Sequence, residues 1–278
     1  MSEKKNSGKK DNKKSEEESV ASSEKESVKN KLNNSEISIL SSFRIVWLKE
    51  LKAFFYSPTA YVILSGFVLL TSWLFFDTFW LRNEASSRPL FDALPKIFLL
   101  ITPLITMKMW ADEYASGTQD QLFSLPVSLG VLTTAKLAAC ITLIAIALVM
   151  TLPYPFMAEY YGNLDWGPVI GGYTGALLLG SAYAAIGIFI SSLTRTQIEA
   201  AFITLFAAGI FYFIGESFFV DKISSQGTLY LLSQIGLGAR FRSIARGVFD
   251  IRDLVYYLSF TALFIVLNVS VLRYRKWM

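Results

Sequence analysis

Five stretches of this chain run for 16 to 29 residues without a charged side chain: Thr59–Phe76, Leu137–Ala158, Trp166–Thr194, Ala200–Gly215 and Leu254–Leu272. About 20 apolar residues carry a helix across the hydrocarbon core of a bilayer, and about 17 suffice. Ala200–Gly215 reaches that length when Glu199 and Glu216 sit in the interfaces. A sixth segment, Ile97–Met107, has 11 uncharged residues between Lys96 and Lys108. Snorkelling lysines extend it to about Phe91–Trp110; a re-entrant segment is the alternative. The expected class is an all-α polytopic membrane protein with six transmembrane helices. The spans are placed at residues 59–80, 91–110, 133–157, 166–191, 198–219 and 253–273.

The charges avoid these segments. Residues 1–36 hold 9 Lys and 8 Asp/Glu, or 17 of the 48 formal charges in a chain of 278 residues. Such a stretch buries too little apolar surface to offset the entropy of ordering, so 1–36 is expected to be a disordered polar cytoplasmic tail and 37–278 the transmembrane domain. No apolar core follows the basic start, so the tail does not read as a secretory signal. The sequence has no histidine, which removes His-based triads and His-Glu-x-x-His zinc sites. Its one cysteine, Cys140, lies in an apolar run and reads as a small filler. The net charge of +4 comes from Lys and Arg flanking apolar runs, which is a topology signal rather than a nucleic-acid footprint. No Gly-Lys-Ser/Thr stands at phosphate-loop spacing, and neither metal ligands nor a nucleophile with its base cluster, so no chemistry is expected in this chain.

An even number of spans puts both termini on one side. The nine tail lysines, with Arg44, Lys49, Lys52, Arg273, Arg275 and Lys276, assign that side to the cytoplasm. Glu159–Asp165, with two acids and no Lys or Arg, suits the outside. Lys222, Arg240, Arg242, Arg246 and Arg252 run against the rule, because they fall in the last outer segment.

Four local features stand out. Ile39–Tyr56 reads as an amphipathic helix along the inner membrane face, ended by Pro58. Trp110–Pro126 is too polar to span and too apolar for a free loop. Trp110 and Tyr114 lie one turn apart, Leu122 and Phe123 continue the apolar side if Gly117 bends the backbone, and Asp112, Glu113 and Asp120 give three acids without a base. That pattern suits a protein partner with a basic groove; solvated loop charges are the alternative. Gly171-x-x-x-Gly175, Ala176-x-x-x-Gly180 and Gly180-x-x-x-Ala184 form a small-residue stripe, either for packing within one bundle or for a dimer seam. Finally, Ser191–Gln197 forms an inner turn in which Arg195 and Glu199, four apart, are expected to pair. No charge lies at the centre of a span, which disfavours an ion-coupled carrier.

Taken together, these residues resemble the permease subunit of a bacterial ABC-2-type ABC transporter, nearest the gliding-motility-associated branch and its copper-processing relatives. The resemblance covers about Phe43 to Arg273. It rests on Trp47-Leu-Lys-Glu-Leu-Lys-Ala-Phe-Phe-Tyr-Ser-Pro-Thr-Ala-Tyr61, Asp112-Glu-Tyr-Ala-Ser-Gly-Thr-Gln-Asp-Gln-Leu122, Gly187-Ile-Phe-Ile-Ser-Ser-Leu-Thr-Arg-Thr-Gln197 and Arg246-Gly-Val-Phe-Asp-Ile-Arg-Asp253. It implies a six-helix half-transporter of the bacterial inner (plasma) membrane that dimerises and binds two separate ATPase subunits. Those subunits carry ATP and magnesium; this chain carries no cofactor. It also makes Trp110–Pro126 a cytoplasmic coupling helix, with Trp110, Asp112, Glu113, Tyr114, Ser116, Gly117, Thr118 and Asp120 at the ATPase contact. Glu113 is then a main electrostatic contact and Gly117 the bend that seats the helix. Tyr114 and Ala115 depart from the basic residues usual there. The resemblance further implies that the segment before the last span, including Leu229–Gly238, dips back into the outer leaflet.

Three functions are thus weighed. One is the membrane-spanning subunit of an ATP-driven exporter. The second is a membrane anchor or force-transmitting part of a motility or assembly machine. The third is an ion-coupled carrier or channel, for which central charges and inverted repeats are missing.

Overall fold

The computed structural model describes residues 39–82, 87–124, 127–162, 164–214, 236–247 and 250–276, and among them there is no strand. Contacts divide the chain into residues 1–45 and 46–278. Of the first unit only residues 39–45 are described, and they are helical. The expected tail, most of Leu229–Gly238, the end of the fifth span and the side chain of Asp120 lie outside the described residues.

The helices are α1 (39–56), α2 (Pro58–Arg82), α3 (Arg88–Thr106), α4 (Lys108–Ala115), α5 (Gln119–Ser124), α6 (Leu129–Met150), α7 (Pro153–Tyr161), α8 (Trp166–Leu193), α9 (Gln197–Phe213), α10 (Leu237–Ala245) and α11 (Ile251–Lys276). Among the described residues, five segments are long and apolar enough to cross a membrane: Pro58–Asp77, Arg88–Ala115, Leu129–Tyr161, Trp166–Leu193 and Ile251–Arg275. The sixth expected span is α9, whose 17 described residues reach about 25 Å at 1.5 Å each. The expected second span, short by charge counting, is an unbroken helix of 19 residues despite Pro95 and Pro103. Lys96 stays on its exposed side.

Helix α8 is the centre of the bundle. Its apolar window is 72% buried, against 28% in α2 and 22% in α11. Small residues make this possible, because a helix without bulk lets neighbouring backbones approach. A Cβ added at Gly172 would strike the Phe91 ring of α3, and one at Gly187 would strike Thr106. At Gly180 it would lie 3.0 Å from Ile144 of α6, and Ala184 is fully buried. At Gly171 it would collide with the carbonyl oxygen of Ile244, and at Gly175 it would come within 3.1 Å of the Ile244 side chain of α10. The faces of Gly171, Gly175 and Gly180 are therefore covered within the chain, which removes the dimer-seam reading of these three positions.

The helix ends follow local chemistry. Ser128 Oγ accepts the Val131 N–H and starts α6 a turn before the expected boundary at residue 133. Asp165 caps α8 through the Gly167 N–H, and Thr196 caps α9 through the Glu199 N–H. Near the start of α8, α10 lies against its glycines, with Leu237, Phe241 and Ile244 turned inward. Gly247, at φ +86°, turns the chain where a side chain would press on Gly167 and Pro168.

Candidate functional site: a polar hub around the fourth helix

The expected coupling helix is two helices. Helix α4 continues α3 after a break at Met107, and α5 follows a turn over 116–118. Gly117 sits in that turn at φ +68°, a conformation that costs a residue with a Cβ about 1–2 kcal/mol. Ser116 Oγ donates to the Asp112 carbonyl and lies 2.9 Å from Thr118 Oγ1, closing the turn from its exposed side. Trp110, expected in the coupling helix at the ATPase contact, is fully buried.

The break at Met107 leaves the first N–H groups of α4 without intrahelical acceptors. Ser191 of α8 supplies one. Its Oγ accepts from the Trp110 N–H at 3.0 Å and the Ala111 N–H at 3.1 Å, and donates to the Met107 carbonyl at 3.1 Å.

Glu113 does not face outward from the bundle, as the sequence reading placed it. Its Oε1 lies 2.8 Å from Lys136 Nζ in the second turn of α6. Lys136 is fully buried and also reaches Glu50 Oε1 of α1 at 3.1 Å and the Met109 carbonyl at 2.7 Å. An ammonium has three donors, and all three are used. The indole of Trp110 lies 4.8 Å from the same ammonium. From the exposed side, Lys49 stands 3.7 Å from Glu50 and 3.9 Å from Glu113, so two carboxylates meet two cations. A buried ion persists only when paired in this way.

The other side chains of α4 reach further helices. Lys108 donates to Thr59 Oγ1 of α2 at 2.9 Å. Asp112 accepts from Gln197 Nε2 of α9. Tyr114 lies under the guanidinium of Arg275 of α11, which donates to the Leu193 carbonyl that ends α8. Nearby, Trp47 Nε1 donates to Thr142 Oγ1 and holds α1 to α6. A cavity of about 340 Å³ opens between α1 and α4, with Lys49, Lys108, Ser57 and Thr118 on its wall. Among the described residues no group of His, Cys, Asp or Glu is placed to hold a metal ion.

The structure thus brings Trp110, Asp112, Glu113 and Tyr114 together with Gln197. It leaves Ser116, Gly117 and Thr118 exposed at the tip. Arg195 and Glu199 do not pair; both are exposed, and no ion pair joins them among the described residues. Sequence reasoning missed Glu50, Lys136, Ser191 and Arg275. Lys136 carried a signal, since it interrupts an apolar helix that Ser128 starts two turns earlier.

The chain belongs to the ABC-2 family of transporter proteins, whose family model matches residues 5–276. It is a multi-pass membrane protein of the permease type, the non-catalytic membrane component of an ABC transporter. The match is to the family as a whole and does not single out the gliding-motility branch. No curated protein matches the chain.

Proposed function

We propose that the chain is the membrane-spanning subunit of an ATP-driven ABC exporter in the bacterial inner membrane. A separate ATPase subunit binds ATP and magnesium and docks on the tip of α4 and α5, and the permease works as a dimer with a second copy or a related chain. Both termini and the α4 end of the bundle face the cytoplasm, and the loop around Glu159–Asp165 faces outside.

One observation carries this reading. The eight-residue helix α4 is tied by side chains to α1 through Lys49 and Glu113, and likewise to α2, α6, α8, α9 and α11. A push on α4 therefore reaches most of the bundle through directional, charge-assisted contacts, which is what coupling to a hydrolysing partner requires. Glu113 acts in this scheme from within, by fixing α4 to α1 and α6, and the exposed turn at Ser116, Gly117 and Thr118 makes the contact.

Cys140 is buried, so a cysteine introduced at an exposed site is the one a maleimide labels. Thr118→Cys should react in inside-out vesicles and be protected when the cognate ATPase is bound. Glu159→Cys should react only from the opposite face. Unprotected Thr118→Cys in a complex that hydrolyses ATP would remove the docking assignment. ATP-dependent solute movement in reconstituted vesicles separates an exporter from a force-transmitting anchor.

A further inference from the structure

The end of the bundle away from α4 carries charge that the coupling scheme does not use. Between Gly236 and Asp253 there are four arginines and two aspartates. Arg240 is occupied: its guanidinium lies 2.6 Å from Asp253 and 4.4 Å from the ring of Tyr256. Together with the hydrogen bond from the Tyr257 hydroxyl to the Leu237 carbonyl, this pins α10 to the start of α11. Asp250 is spent on capping, since its Oδ1 accepts the Arg252 N–H. Arg242 is half-buried, and Arg246 and Arg252 have exposed side chains.

Depth decides what they meet. Helix α10 touches α8 at Gly171 and Gly175, five and nine residues past Trp166. Gly247, next to Arg246, lies against Gly167 and Pro168 at the start of α8, and Arg252 is the second residue of the apolar segment Ile251–Arg275, so both arginines stand at the ends of membrane-spanning segments, the depth of headgroups. Two exposed guanidiniums there favour anionic headgroups. Ile251 is exposed beside Arg252, and below it α11 exposes Leu254, Val255 and Leu258. A cationic rim above an apolar stripe matches a ligand with a phosphate head and a hydrocarbon tail.

We propose that α10 and the start of α11 form a binding site for an anionic phospholipid-like amphiphile. Its phosphate contacts Arg246 and Arg252, and its tail lies along Ile251–Leu258. In the orientation proposed above this is the outer leaflet.

The test uses the full chain in nanodiscs and native mass spectrometry of the lipids it retains. Phosphatidylglycerol should be retained over phosphatidylcholine of the same chains by roughly tenfold. Arg246→Gln with Arg252→Gln should abolish that preference, while Lys52→Gln, an exposed cation near the other end, should keep it. Glycerol 3-phosphate without a tail should not compete. Equal retention of both lipids, an unchanged preference in the double variant, or full competition by glycerol 3-phosphate would each overturn the site. So would a double variant that alters only the oligomeric state. The readout needs neither ATPase nor transport, so its failure leaves the coupling reading standing, and the reverse holds as well.

Discussion

The two ends of α8 are held by different physics. At its C-terminal end, Ser191 and the Leu193 carbonyl sit in a web of hydrogen bonds and ion pairs that ties α4 to its neighbours. At its N-terminal end, Gly171 and Gly175 meet α10 by close approach of backbone and apolar side chains. Directional contacts fix register and orientation, and they fail when one partner is removed. A glycine seam has no directional bonds; it fails when something is added. Removal should therefore damage the α4 end, and addition the α10 end.

The largest effect should come from Lys136→Met, which leaves Glu50 and Glu113 buried against each other. Stripping one partner from a buried ion cluster costs about 3–5 kcal/mol, so melting in detergent should fall steeply. Replacing all three together by Glu50→Gln, Lys136→Met and Glu113→Gln should restore most of the loss. A triple variant as unstable as the single one would mean that the cluster is not a charge lock.

At the other end, Gly171→Ala should cost about 1–3 kcal/mol by pushing the added carbon into the Ile244 carbonyl. Gly66→Ala in α2, where nothing lies within 4 Å, is the matched control and should be neutral or slightly stabilising. Equal melting temperatures for the two variants would remove the seam from the comparison.

Gly117→Ala should cost about 1 kcal/mol through its positive φ. The bundle itself should melt almost as wild type, because the turn is exposed, whereas co-purification with the ATPase should weaken. The smallest effect is expected at Arg195 and Glu199. Changing either to Ala should move stability by less than about 0.5 kcal/mol, since both are solvated and unpaired with each other. A double-mutant cycle with a larger coupling energy would restore the pair.

The spans were legible because lipid punishes charge, and the uncharged runs mark α8, α9 and α11 to within about a turn. The small residues of α8 were equally readable, since they have few uses besides close packing. Which neighbours they pack on was not, because α10 lies some 70 residues further along the chain. Charge counting failed at Lys136. Ending an uncharged run at Leu137 treats the preceding lysine as a boundary, yet α6 begins at Leu129 and carries Lys136 inside the bundle. Its acceptors lie 86 and 23 residues away, a separation that no local periodicity reports. The Arg195–Glu199 pair failed for a local reason. Thr196 is the cap, so Arg195 precedes the first turn of α9 and the four-residue spacing does not place it beside Glu199.

The ion cluster also has a consequence for biosynthesis. A lysine released into lipid from the insertion machinery costs about 2.5–3.5 kcal/mol when it stands alone near a helix centre. Glu50 and Glu113 both precede Lys136, so each acceptor has been synthesised before the ammonium needs it. Ser191 and Arg275 come later, and they bind α4 at its backbone and at Tyr114. Chain order thus lets the bundle be assembled from α1 onward with the buried Lys136 never left waiting for a counter-ion.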